Sequence, residues 1–171
     1  MCFIENQTTA INYHEGLTPK ESASEIISHV SQGLSLADRY HIPSVVKEFI
    51  AFHHGTSSTA YFYNKYLNDG GDPKDVDGFF YPGPKPRSKE QVILMLCDSF
   101  EAASRTLKDF SPEAVSKFIH EIHYAKYKAG QYDDADITLH ELQVLRDSLQ
   151  TYIINMHHNR IAYPKRKQNN K

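Results

Sequence analysis

Four residues in this sequence have the types and the placing to do metal chemistry: His29, the adjacent pair His53 and His54, and Asp98. His29 falls on the run Ile26, Ile27, Val30, Leu34, Ala37, whose three- and four-residue steps predict an amphipathic helix, so its ring should project near the buried face. The histidine doublet stands directly before Gly55, a helix stop. Asp98 follows the apolar run Val92-Ile93-Leu94-Met95-Leu96, where an ionised carboxylate is costly unless a cation or a partner compensates it. Three neutral imidazoles and one carboxylate are a ligand set suited to zinc, iron or manganese. Two such ions could polarise a phosphate and lower the pKa of a bridging water. Each residue also has a plainer explanation: a hydrogen-bonded core histidine, a helix terminus meeting its dipole, a buried ion pair. Spacing alone leaves both open.

The elements that must position these residues are helices. Thr18-Pro19-Lys20-Glu21 gives an N-cap, a proline at the first helical position and a glutamate three residues after the cap, opening a helix that runs to about Tyr40. Pro43 opens a second, ending at His53-His54-Gly55, and an aromatic-rich third covers about Ser58 to Leu67. The aromatic residues between 61 and 66 read as core and rim packing rather than a base-stacking platform. Residues 72 to 87, with four prolines at 73, 82, 84 and 86, cannot be helical. Ser88 caps a long helix over roughly 89 to 108, the most apolar and therefore the central one. Ser111-Pro112-Glu113 opens another to about Gly130, and the capping box Thr138-Leu139-His140-Glu141 opens the last, to about Asn159. No alternating strand pattern of useful length occurs, so the fold class is all-α with about six helices.

At 171 residues, 40% of them hydrophobic, the chain can bury one core of ordinary size. Cys2 and Cys97 are too far apart in sequence and context to suggest a disulfide framework or a thiolate metal site. No apolar stretch approaches the roughly 20 residues of a membrane span. Lys165, Arg166, Lys167 and Lys171 concentrate charge in a basic tail at 164–171. The body keeps 15 basic against 21 acidic residues, a poor balance for sequence-independent binding of nucleic acid polymers.

Four ordered runs carry a resemblance: Ser24-Glu25-Ile26-Ile27-Ser28-His29-Val30-Ser31-Gln32-Gly33, His53-His54-Gly55-Thr56, Tyr81-Pro82-Gly83-Pro84-Lys85-Pro86, and Cys97-Asp98-Ser99-Phe100-Glu101-Ala102-Ala103. Together they resemble the HD phosphohydrolase domain of the bacterial seven-transmembrane HD proteins, and the likeness runs from Phe3 to Pro164. Members of that family include membrane-anchored phosphodiesterases that hydrolyse cyclic di-AMP. The resemblance implies that His29, His53, His54 and Asp98 are ligands of a site holding two divalent transition ions, with iron or manganese favoured and zinc able to serve. It implies a small nucleotide substrate and a parent at the cytoplasmic face of the bacterial inner membrane, held there through segments outside this sequence.

In such domains an upstream histidine and an adjacent His-Asp pair complete the ligand set, and this sequence contains no His-Asp doublet. Residues 1–163 are therefore expected to be the carboxy-terminal part of an HD domain, lacking its first helices, and 164–171 a tail. The isolated chain should be inactive and could pair with a second copy through the surface left by those helices. A non-catalytic nucleotide-binding or interaction module is the alternative.

Smaller expectations attach to neighbouring residues. The Thr56 hydroxyl and N–H could meet a phosphate, unless Thr56 only caps the next helix. Lys85, Arg87 and Lys89 could contact a dinucleotide or form a solvated charge cluster. Arg105 should pair with Glu101 at the i, i+4 spacing. His14, in Asn12-Tyr13-His14-Glu15, stands where the family has Asn-Pro-His-Asp and is a weaker substrate-binding candidate. His120-Glu121-Ile122-His123 lacks the four-residue histidine spacing of zinc proteases and reads as an exposed helix face. His157 and His158 suit the negative end of the last helix.

Overall fold

The computed structural model describes residues 14–158. Cys2 and the basic tail lie outside them, as do the side chains of His157 and His158.

Six helices follow one another: α1 (Pro19–Arg39), α2 (Ser44–Phe52), α3 (Ala60–Asn68), α4 (Lys89–Ser104), α5 (Pro112–Lys128) and α6 (Leu139–His158). Both expected capping boxes form. Thr18 Oγ1 accepts from the Glu21 N–H while Glu21 reaches back to the Thr18 N–H, and Thr138 and Glu141 repeat the exchange at α6. These contacts satisfy helix-end donors that would otherwise lack partners. Among the described residues no strand forms; one isolated bridge, Ser58 to Phe80, is the sole β contact.

Two boundaries differ from the sequence reading. α4 ends at Ser104, a turn before residue 108. There the hydroxyls of Ser104 and Thr106 donate to the carbonyls of Glu101 and Ala103, and side chains that compete for backbone acceptors loosen a helix terminus. α3 starts at Ala60 with Thr59 at its N-cap, so Thr56 is not the cap.

The interior divides into two apolar clusters. One joins α1 and α3 to the proline loop: Ala23, Ile26, Val30 and Phe62 pack on Phe79 and Tyr81. The loop reaches in because Phe79–Tyr81 runs alongside Ser57–Thr59, with the Thr59 N–H donating to Phe79 O at 2.8 Å and the Tyr81 N–H to Ser57 O at 2.9 Å. Burying a ring the size of Phe79 contributes about 2–3 kcal/mol, which offsets ordering an irregular segment. The other cluster fills α4–α6 with Val92, Leu96, Phe100, Val115, Ile119 and Ile153. α4 packs on α2, α5 and α6, the central role its apolar run anticipates. Polar side chains from α1, α2, α4 and α5 meet between the clusters.

Candidate metal centre

His29 reaches this seam because Ile26 and Val30 anchor the buried face of α1, leaving the ring between them at the helix edge. α2 ends at Phe52, whose burial fixes the next turn, and Gly55 takes φ +55°, a left-handed conformation that reverses the chain after both histidines have been presented.

The three rings converge. His29 Nε2 lies 3.1 Å from His53 Nε2 and 3.1 Å from His54 Nε2. Nδ1 of His29 donates to Ile26 O at 2.6 Å, and Nδ1 of His53 donates to Ile50 O at 2.8 Å. A carbonyl can only accept, so each ring carries a proton on Nδ1, and the neutral form of each turns an Nε2 lone pair toward the other. One ligand atom from each of the three histidines falls within 4.8 Å of the others, an arrangement that could hold a metal ion. Burial, then the neighbouring imidazoles and Lys126, pushes His54 down to about 2. Burial lowers His29 as well, against its carbonyl contact with Ile26, and the neighbouring His53 adds to the lowering. Rings so held stay neutral, the protonation state that a transition ion requires.

Asp98 meets the cluster at its edge, its Oδ2 3.6 Å from His54 Nδ1, on the far side of that ring from the converging nitrogens. Burial raises the Asp98 carboxyl above its ordinary value, against the opposing pull of His53 and Lys126. Tyr81 stacks on His54 with ring centroids 4.1 Å apart and forms an apolar wall.

The other named residues are placed differently. Thr56 engages Gln131: its N–H donates to Gln131 Oε1 at 3.0 Å, and its hydroxyl oxygen accepts from Gln131 Nε2 at 2.8 Å. Lys85 pairs with Asp133 at 3.3 Å, Lys89 with Glu141 at 2.6 Å, and the Arg87 guanidinium lies 5.4 Å from the centre of the Phe52 ring. His14 is buried against the Phe62 ring. Arg105 grips Glu101 with two bonds from its Nη2 atom, at 2.8 and 2.9 Å, as its spacing anticipates. His123 is not simply on an exposed face, because the Tyr132 hydroxyl meets its Nδ1 at 3.1 Å.

Sequence reasoning missed Lys126 and Gln131. Lys126 had a readable signal: it continues the buried α5 stripe Val115, Ile119, Ile122 at the next helical step. Gln131, 1% exposed, had none, because a polar residue after a glycine is ordinarily solvated.

Helices presenting a half-buried group of convergent imidazoles beside a carboxylate make a helical domain with a cluster that could hold a metal ion. The model of the HD domain matches residues 8–103, and the chain belongs to the HD-domain family. It is 36% identical over 162 residues to the cyclic-di-AMP phosphodiesterase PgpH of Listeria monocytogenes and 38% identical over 162 residues to that of Bacillus subtilis. The alignments cover 95% of this chain but 22% and 23% of those proteins, so it spans about a fifth of their length. The crystal structure of the L. monocytogenes PgpH HD domain superposes with a TM-score of 0.80 at 33% identity, covering 91% of this chain and 73% of that one. The same domain in complex with cyclic-di-AMP superposes at 0.79, with 33% identity and coverage of 89% and 71%. The all-α expectation and the family resemblance are thus both met. Among the described residues no helix is long and apolar enough to cross a membrane.

Proposed function

We propose that this chain supplies the histidine portion of a two-metal phosphodiesterase centre acting on a cyclic dinucleotide such as cyclic di-AMP. The observation that carries the reading is the facing Nε2 atoms of His29, His53 and His54, with two of the Nδ1 protons already committed to carbonyls. The donor set fits a divalent ion, iron or manganese by preference and zinc as an alternative, and such an ion would neutralise phosphate charge and acidify a water. Asp98 is read as the fourth ligand, although its carboxylate here meets His54 at Nδ1 rather than at the converging Nε2 atoms. The chain's own contribution is to orient the imidazoles through Ile26 and Ile50, to exclude water with Tyr81, and to keep His29 and His54 neutral by burial. The likeness to a domain solved with cyclic-di-AMP supports that substrate class. By the same likeness the intact protein works at the cytoplasmic face of a bacterial membrane. Thr56, Lys85, Arg87 and His14 are kept as substrate contacts that exchange their present partners when nucleotide binds.

The absence of a His-Asp doublet from the 171 residues favours a second reading, a nucleotide-binding module without turnover. In both readings the chain by itself does not hydrolyse cyclic di-AMP. Exposed Leu36, Ile42, Val45 and Val46 offer a surface for pairing with a second copy. Metal content of the purified chain, compared with His53→Ala and Asp98→Ala, tests the centre; equal metal in all three would refute it. Metal-dependent hydrolysis of cyclic di-AMP by a longer protein containing this chain separates the enzyme from the binding module.

A further inference from the structure

α5 directs a lysine toward a place that gathers cations. Its buried stripe passes through Val115, Ile119 and Ile122 and then reaches Lys126, whereas Tyr124, Tyr127 and Lys128 beside it face solvent. Lys126 is half-buried, and its Nζ donates to Ser57 Oγ at 2.8 Å, three residues beyond His54. The Ser57 N–H in turn donates to His54 O at 3.1 Å, so the lysine belongs to the same seam as the histidine cluster. A lysine there repels a divalent ion. The Asp98 carboxylate already offsets part of that charge, and a phosphate oxygen between the lysine and the ion would attract both.

We propose that Lys126 and Ser57 form the phosphate-binding arm of the centre, the Nζ ammonium and the Ser57 hydroxyl holding a non-bridging oxygen of a phosphate ester whose other oxygens face the imidazoles. The proposal rests on the metal-centre reading above. An ammonium on a flexible stem suits a phosphate whose charge changes during reaction, and its hydrogen bonds to an anion are shorter and stronger than neutral ones. Ser57 keeps the stem in register while the site awaits its ligand.

The test is a manganese(II) titration of the purified chain, with and without millimolar inorganic phosphate, in the native protein, Lys126→Met, Lys126→Arg and His53→Ala. In the native chain phosphate is expected to tighten manganese binding about tenfold. Lys126→Met should bind manganese alone a few-fold more tightly, because a repelling charge is gone, and show less than about twofold enhancement by phosphate. Lys126→Arg should retain the enhancement. A merely structural lysine would not move the two readouts in opposite directions. The proposal is overturned if phosphate tightens manganese binding as much in Lys126→Met as in the native chain, if that variant binds manganese more weakly, or if the native chain shows no enhancement. Manganese binding that His53→Ala leaves unchanged defeats the metal-centre reading itself and the arm with it.

Discussion

Gln131 holds Thr56 from both sides, accepting from its backbone N–H and donating to its hydroxyl oxygen, across 75 residues of sequence. A third bond, Gln131 Nε2 to Ala129 O at 3.1 Å, fixes the amide itself. The turn that presents two histidines is thereby pinned to the end of α5, and the two apolar halves of the molecule are joined by a buried polar clamp. Replacing Gln131 with alanine strips the Thr56 N–H of its partner. The expected loss is about 1–3 kcal/mol of unfolding free energy, read as a lower urea midpoint at unchanged slope. A midpoint within error of the native one would show that the clamp carries no stability.

Gly55 is required at its position for two reasons. Its φ of +55° is a conformation that costs a residue with a side chain about 1–2 kcal/mol, and a Cβ there would stand 2.1 Å from Gln131 Oε1. Gly55→Ala should therefore lower the melting temperature by several degrees and disturb the histidine pair, with weaker metal binding as the second readout. A double variant with Gln131→Ala should be less destabilised than the sum of the singles, since removing the amide removes the clash.

How far the sequence speaks differs between scaffold and site. Helix starts were legible because Thr18, Ser88, Ser111 and Thr138 carry local chemistry that needs no tertiary partner. The end of α4 was not, because Ser104 and Thr106 compete for carbonyls without any glycine or proline to mark the stop. His29, His53 and His54 could be picked out by residue type and helical phase, yet their convergence depends on how α1 and α2 cross, which spacing does not encode. The expectation for Lys85 came from its place in a motif, and its contact with Asp133 depends on a loop 48 residues away. Gln131 acquires its meaning only from the loop it closes on.

Acid should unfold the metal-free chain from a pH at which most proteins are indifferent. His54, pushed down to about 2 from an ordinary 6.5 by burial and its neighbours, takes up a proton in the unfolded chain long before it does so in the folded one. Stability due to this ring is complete above pH 6.5 and is lost as pH falls toward 2, with a slope of about 1.4 kcal/mol per pH unit where only the unfolded ring is charged. His29, also lowered, adds in the same direction. Asp98, raised by burial, acts oppositely, because the folded chain takes up its proton before the unfolded one does. Urea midpoints should therefore fall between pH 7.5 and 5.5. A flat profile there would mean that the imidazoles are hydrated.

His53 should cost the metal-free fold little while deciding whether metal is bound. With Nδ1 committed to Ile50 O, a neutral His53 ring directs its Nε2 lone pair at that of His29 from 3.1 Å, an arrangement that repels until a cation enters. Removing the ring takes away that repulsion along with some packing, so His53→Ala without metal should lie within about 0.5 kcal/mol of the native chain. With metal at a hundred times its dissociation constant the native chain gains about 2.7 kcal/mol by linkage, and the variant should gain almost none. Thermal unfolding of both proteins, with and without manganese and with chelator as the reference, separates these contributions. A variant that is badly destabilised in chelator would make His53 a structural histidine. One that matches the native protein in chelator and fails to respond to manganese marks a residue kept for binding, at a position where stability alone would have selected something else.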